Sequence, residues 1–336
     1  GTTSLFIDDD SNAQAPLALP PAAGNGITAV WGDGGFETVQ YTGYATVTVR
    51  GGTGSETVDL RAIDYDGVQT DITLDGDNTT SADTASDVLL VRSLPAAVTA
   101  TLLGGQGSDL FLLNSNGPNL NGTVDNILGP VTVSPSPADD PAATDADSLI
   151  VIDDADTTGD IVTVTSTTIE GITGYAGTPD ITYAQIGTAV HATGRVGIYS
   201  GSGDDQFDLQ STIVNTNYEI YTDPIPASPA AANGQGDDTV NISSTAPTLN
   251  GNGTLTGDLN GIQGPLFLNT LGNATATGDT VKVSDYDGSQ RTYTLQRLGN
   301  VTQLSATGMA SITYDFGPIP GPGFVLPTLQ LEHFQL

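Results

Sequence analysis

The segment GSGDDQFDL (Gly201 to Leu209) returns further along the chain as GQGDDTVNI (Gly234 to Ile242), and earlier copies read GGTGSETVDL (Gly51 to Leu60) and GGQGSDLFLL (Gly104 to Leu113). Each copy joins a glycine turn and one or two acids to a short strand in which every second residue is apolar. Glycine permits the tight turn, and the alternating Val, Phe, Leu or Ile anchor one face of the strand. A unit this small cannot bury its own apolar face, so copies must stack on one another.

A longer period contains the short one. DSLIVIDDAD (Asp147 to Asp156) matches TSLFIDDDSN (Thr3 to Asn12) and, more loosely, DTVKVSDYDG (Asp279 to Gly288), while DNILGPVTV (Asp125 to Val133) matches NGIQGPLFL (Asn260 to Leu268). The same ordered set runs about two and a half times, with a period of roughly 130 to 150 residues.

Helical periodicity is nearly absent, whereas ATVTVR (Ala45 to Arg50), DIVTVTST (Asp160 to Thr167) and TLQLEHF (Thr328 to Phe334) alternate strictly. The expected fold is all-β, a parallel β-solenoid of the β-helix or β-roll kind. It is expected as one elongated array over residues 1–336, with a partial repeat over about 1–50 and repeats over about 51–200 and 201–336. Proline-rich stretches such as SPSPADDPAATDAD (Ser134 to Asp147) and DPIPASPAAANG (Asp223 to Gly234) are expected as loops bulging from it, because proline cannot donate to a ladder.

Thirty-nine acids face only 7 Lys and Arg, a formal charge of -32. Such a surface repels nucleic acid and anionic membranes and attracts cations. There is no cysteine, so cohesion must come from packing, backbone ladders or bound ions. No apolar run is long enough for a membrane helix. The absence of Cys, the scarcity of Lys and the wealth of Asp, Thr and Gly point to an extracellular or cell-surface setting.

The acids of the repeated turn are the candidate metal ligands: Asp109, Asp204, Asp205, Asp237, Asp238 and Glu56. Turns stacked on adjacent coils would offer the oxygen ligands that Ca²⁺ prefers. At GGQGSDLFL (Gly104 to Leu112) the chain resembles the repeats-in-toxin nonapeptide of hemolysin-type calcium-binding β-rolls, which implies calcium as the bound ion. More broadly, the order ILGPVTV, DSLIVIDDADTTGDIVTVTSTTIEGI, ITYAQI, GSGDDQFDLQST, GQGDDTVNI is similar to long repeats of very large secreted bacterial surface proteins. That resemblance implies a structural or adhesive role. The alternative for the aspartates is that they are turn residues capping strand ends through side-chain to backbone bonds.

An enzyme is not expected, since the carboxylates recur with the repeat instead of gathering at one place, and His191, His333 and the basic residues are scattered. The expected role is a subunit of a filament, sheath or surface layer, with a second copy of the chain as its head-to-tail partner. Both ends fall within a repeat, which suits either such stacking or a piece of a longer array. An adhesin or carbohydrate-binding rod, with surface glycans or other surface proteins as partners, is the alternative.

Overall fold

The computed structural model describes residues 4–8, 26–28, 38–40, 43–52, 54–55, 57–61, 67–76, 85–134, 146–184, 186, 194–224, 236–270, 279–298, 301–315 and 328–332. The protein is all-β, with two large, mostly parallel sheets and a small antiparallel pair. Among the described residues no helix is long and apolar enough to cross a membrane.

Two compact units share the chain: unit 1 holds Gly1–Ile152 and Thr173–Arg195, and unit 2 holds Asp153–Ile172 and Val196–Leu336. The strands of unit 1 begin with β1 (Ser4–Asp8), β2 (Gly26–Thr28), β3 (Thr38–Gln40), β4 (Thr46–Arg50), β5 (Thr57–Leu60) and β6 (Asp71–Asp75). They continue with β7 (Val88–Val91), β8 (Thr99–Leu103), β9 (Leu110–Leu113), β10 (Val131–Ser134) and β11 (Ser148–Ile152). Unit 2 opens with β12 (Ile161–Val164) and β13 (Thr168–Glu170), whereas β14 (Ile181–Tyr183) belongs to unit 1. Next come β15 (Gly194–Tyr199), β16 (Gln206–Leu209), β17 (Thr216–Tyr221), β18 (Thr239–Ile242) and β19 (Leu266–Asn269). The last are β20 (Thr280–Ser284), β21 (Tyr293–Leu298), β22 (Val301–Ala306), β23 (Ile312–Asp315) and β24 (Thr328–Glu332).

In unit 1 the chain alternates between two parallel rows. One runs β5-β7-β9-β11 and will be called the aspartate row for the residues at its strand starts; its companion runs β1-β4-β6-β8-β10-β14. Unit 2 repeats the scheme, with an aspartate row β12-β16-β18-β20-β24 and a companion row β15-β17-β19-β23. The companion row is continued by the antiparallel strands β22 and β21, whose Leu295 and Leu298 are exposed.

Not every matched segment takes a matching place: TSLFIDDDSN holds β1 of a companion row, whereas its match DSLIVIDDAD holds β11 of an aspartate row. The repeated turns and the Gly-Pro segments do correspond. GGTGSETVDL and GSGDDQFDL end in β5 and β16, GGQGSDLFLL and GQGDDTVNI in β9 and β18, all in aspartate rows, while ILGPVTV and IQGPLFL end in β10 and β19, both in companion rows.

Register fixes the core. Val47, Ile72, Ala100, Val131 and Ile181 stand in line across unit 1, each at most 1 % exposed. In unit 2 Val162, Phe207, Val240 and Val281 form the equivalent line. Because successive side chains point to opposite faces, the companion row of unit 1 sets its apolar ladder on one face and Thr48, Thr73, Thr101, Thr132 and Thr182 on the other, whereas the second face of its aspartate row carries Asp59, Leu90, Leu112 and Ile150, all buried.

Candidate metal centre

Immediately before each described strand of the aspartate rows from β7 to β20 stands an Asp: Asp87, Asp109 and Asp147 in unit 1, then Asp160, Asp205, Asp238 and Asp279 in unit 2. Glu56 holds the same position ahead of β5 and lies outside the described residues. The carboxylates of Asp109, Asp147, Asp205, Asp238 and Asp279 each reach back one strand and accept the backbone N–H of the counterpart there. Asp87 donates to Oδ1 of Asp109 at 2.8 Å, and Asp109 to Oδ1 of Asp147 at 3.0 Å. In unit 2 the series is Asp160 to Asp205 at 2.8 Å, Asp205 to Asp238 at 2.8 Å and Asp238 to Asp279 at 3.0 Å. Backbone carbonyls complete the stitch, as where Thr239 donates to the Asp205 carbonyl and Thr280 to that of Asp238.

The paired acids of the repeated turn therefore divide. Asp205 and Asp238 are buried inner members, while Asp204 is exposed and uses Oδ1 to accept the Asp237 amide at 2.9 Å, a stitch in the opposite direction. Ser86 and Ser108 occupy that outer position in unit 1. Adjacent residues in extended chain face opposite sides, so a neighbouring pair supplies only one inward ligand. The glycine before each pair is a requirement of close approach: a Cβ on Gly236 would stand 1.8 Å from the Gly203 carbonyl, and one on Gly203 2.0 Å from that of Thr158.

One group of acids goes beyond stitching. Asp223, Asp238 and Asp279 bring ligand oxygens within 4.8 Å of one another, and they are 0 %, 1 % and 0 % exposed. Asp238 and Asp279 sit at the starts of β18 and β20, whereas Asp223 follows β17 in the companion row. The Oδ1 atom of Asp223 accepts the Gly236 amide at 3.2 Å. No hydrogen bond of normal geometry reaches Oδ2 of Asp223 or Oδ2 of Asp238. These buried acids could hold a metal ion.

Burial governs their titration. It raises Asp238 to about 9, with the facing Asp223 charge adding to the effect, and raises Asp223 to about 8, with Asp279 adding. Asp205 is raised only to about 6, because the Ser200 hydroxyl and a backbone amide oppose the cost of burial.

Of the six acids singled out in sequence, the fold brings Asp238 into the group and sets Asp205 one strand away. Asp109 belongs to the stitching series of unit 1, where, among the described residues, no three acids converge. Asp223 and Asp279 were not singled out. TGDTVKV carries one acid where the repeated turn carries two, and Asp223 lies in YTDP, outside the repeated motif altogether.

The chain matches no protein-family model, no curated protein and no solved structure.

Proposed function

We propose that this chain is a structural repeat protein of the cell surface or extracellular space, a parallel β-solenoid that assembles head to tail into a filament, sheath or layer. The observation that supports this is the aspartate series. Buried carboxylates are the usual raw material of acid and base catalysis, yet here they recur one per strand and spend Oδ1 on joining each strand to the next. A reaction centre gathers unlike groups around one point. This chain distributes like groups along a row.

On this reading each pair of strands, one from each row, is part of a coil, and the apolar ladders fill its interior. Calcium is the stabilising ion: it is hard, takes oxygen ligands and meets a surface of charge -32.

The binding-rod alternative draws on one feature of unit 1, a cleft lined by Arg61, Arg92, Ser93, Leu94, Pro95 and Asn126. Both arginines are engaged by Asp59, at 2.8 Å and 2.6 Å, which favours a structural ion-pair cluster over a glycan subsite.

Electron microscopy of the purified chain at one fixed concentration, with millimolar calcium and after chelation, tests the proposal. Filaments or sheets in calcium are expected. Isolated particles in both conditions would overturn it.

A further inference from the structure

We propose that Asp223, Asp238 and Asp279 form a dedicated inner-shell site for one hard divalent cation, Ca²⁺ by its chemistry, which staples neighbouring coils of unit 2 from within. This deepens the structural reading, on which it relies for its purpose and not for its chemistry.

One coil earlier a buried aspartate of the same series is satisfied. There the Ser200 hydroxyl, 0 % exposed, donates to Oδ2 of Asp205 at 2.6 Å, so both oxygens of that buried carboxylate have donors. At the next coil an acid, Asp223, comes up to Asp238. The Thr222 hydroxyl lies against Asp238 and favours its charged form, yet the Oδ2 atoms of Asp223 and Asp238 are buried and receive no hydrogen bond of normal geometry. Burying ionised carboxylates without a counter-charge costs several kcal/mol for each. Without a cation the pair stays buried by holding protons, and a divalent cation between the two Oδ2 atoms would take the place of those protons and let both carboxylates ionise.

The rest of the group is arranged as a ligand set. Each carboxylate is held through Oδ1 by a backbone amide: Asp223 by Gly236, Asp238 by Asp205 and Asp279 by Asp238. Orientation by such outer partners is how metal-binding side chains are fixed before the ion arrives. Ligands on opposite sides of Ca²⁺ stand about 4.6 to 5.2 Å apart, which suits oxygens that all lie within 4.8 Å. The donors are all oxygen, with no imidazole or thiolate, which favours Ca²⁺ over Zn²⁺ or Cu²⁺. Water and carbonyl oxygens supply the remaining coordination.

The site differs from the one expected from the repeated turn. It uses one inner aspartate from that motif, one from a turn with a single acid, and one from the companion row.

The test is calorimetric titration of the full chain with CaCl₂ at physiological salt, where weak surface binding is screened. One saturable tight site per chain is expected. Asp223→Asn should weaken it at least tenfold, and the exposed control Asp71→Asn in unit 1 should leave it unchanged. The Asn amide can donate to Oδ2 of Asp238, so the melting temperature of Asp223→Asn without calcium should equal or exceed that of the parent. Should that variant fail to fold, Asp279→Asn, which keeps an acceptor for the Asp238 amide, takes its place with the same expected loss of binding. Equal calcium binding by parent and variant, or no tight site in the parent, overturns the proposal. Tight binding without filament formation would sink only the structural reading, and filaments with unaltered binding by the variant would sink only the site.

Discussion

The backbone amide of Asp205 donates to Oδ1 of Asp238 at 2.8 Å, across two strands whose residues are 33 positions apart in sequence. That bond makes the repeated acid a fastener between strand starts.

The fastener is testable in unit 1, where Asp109 accepts the Asp87 amide. Asp109→Ala leaves a buried N–H without an acceptor and should cost about 1–3 kcal/mol in denaturant unfolding. Asp109→Asn keeps the acceptor and should cost clearly less. Equal losses in the two variants would mean that the charge, and not the bond, matters there.

Close approach at the turn gives a second test. Gly236→Ala drives a methyl group into the Gly203 carbonyl, which is backbone and cannot swing aside, and should cost about 1–3 kcal/mol or more. At Gly251 a Cβ meets nothing within 4 Å, so Gly251→Ala should be close to neutral. A melting comparison of the two variants decides it.

The apolar ladder should behave as a packed core. Phe207 is 0 % exposed between Val162 and Val240 in the register, and Phe207→Ala should cost about 3–5 kcal/mol. A loss below about 1 kcal/mol would show that this line is not tightly packed.

Without added divalent ions, stability should fall as pH rises. Asp205, Asp223 and Asp238 have carboxyl pKa values raised to about 6, 8 and 9, above the ordinary value of 3.8. The folded chain therefore holds protons that the unfolded chain has released. Their contribution is fully present below about pH 4 and is lost as pH climbs through about 6 to 9. Thermal melts in chelator across that range check the slope, and Asp223→Asn should flatten its upper part. A rising slope would mean that these carboxylates are ionised and paired in the fold.

Much of this was legible in the sequence, because alternation with period two and a repeated glycine turn leave few options besides stacked parallel strands. The placement of β5, β9, β16 and β18 in aspartate rows follows from four copies of one motif. Asp109, Asp205 and Asp238 could be singled out for the same reason. Which of two adjacent acids points inward was not written in the motif; it depends on where the strand begins, one residue after Asp205 and Asp238. Asp223 was hidden for a different reason. It shares no local pattern with Asp238 and meets it only because β17 and β18 are consecutive strands of opposite rows. The hairpin of β21 and β22 also departs from the expected parallel stacking, since six residues on each side pair antiparallel in YTLQRL and VTQLSA.

The most direct measurement of the central claim is X-ray diffraction from aligned filaments grown in calcium. Coils stacked head to tail along the filament predict a meridional reflection near 4.8 Å, the spacing between strands in a ladder. Filaments that lack it, with strands lying along the axis or subunits joined side by side, would contradict the account.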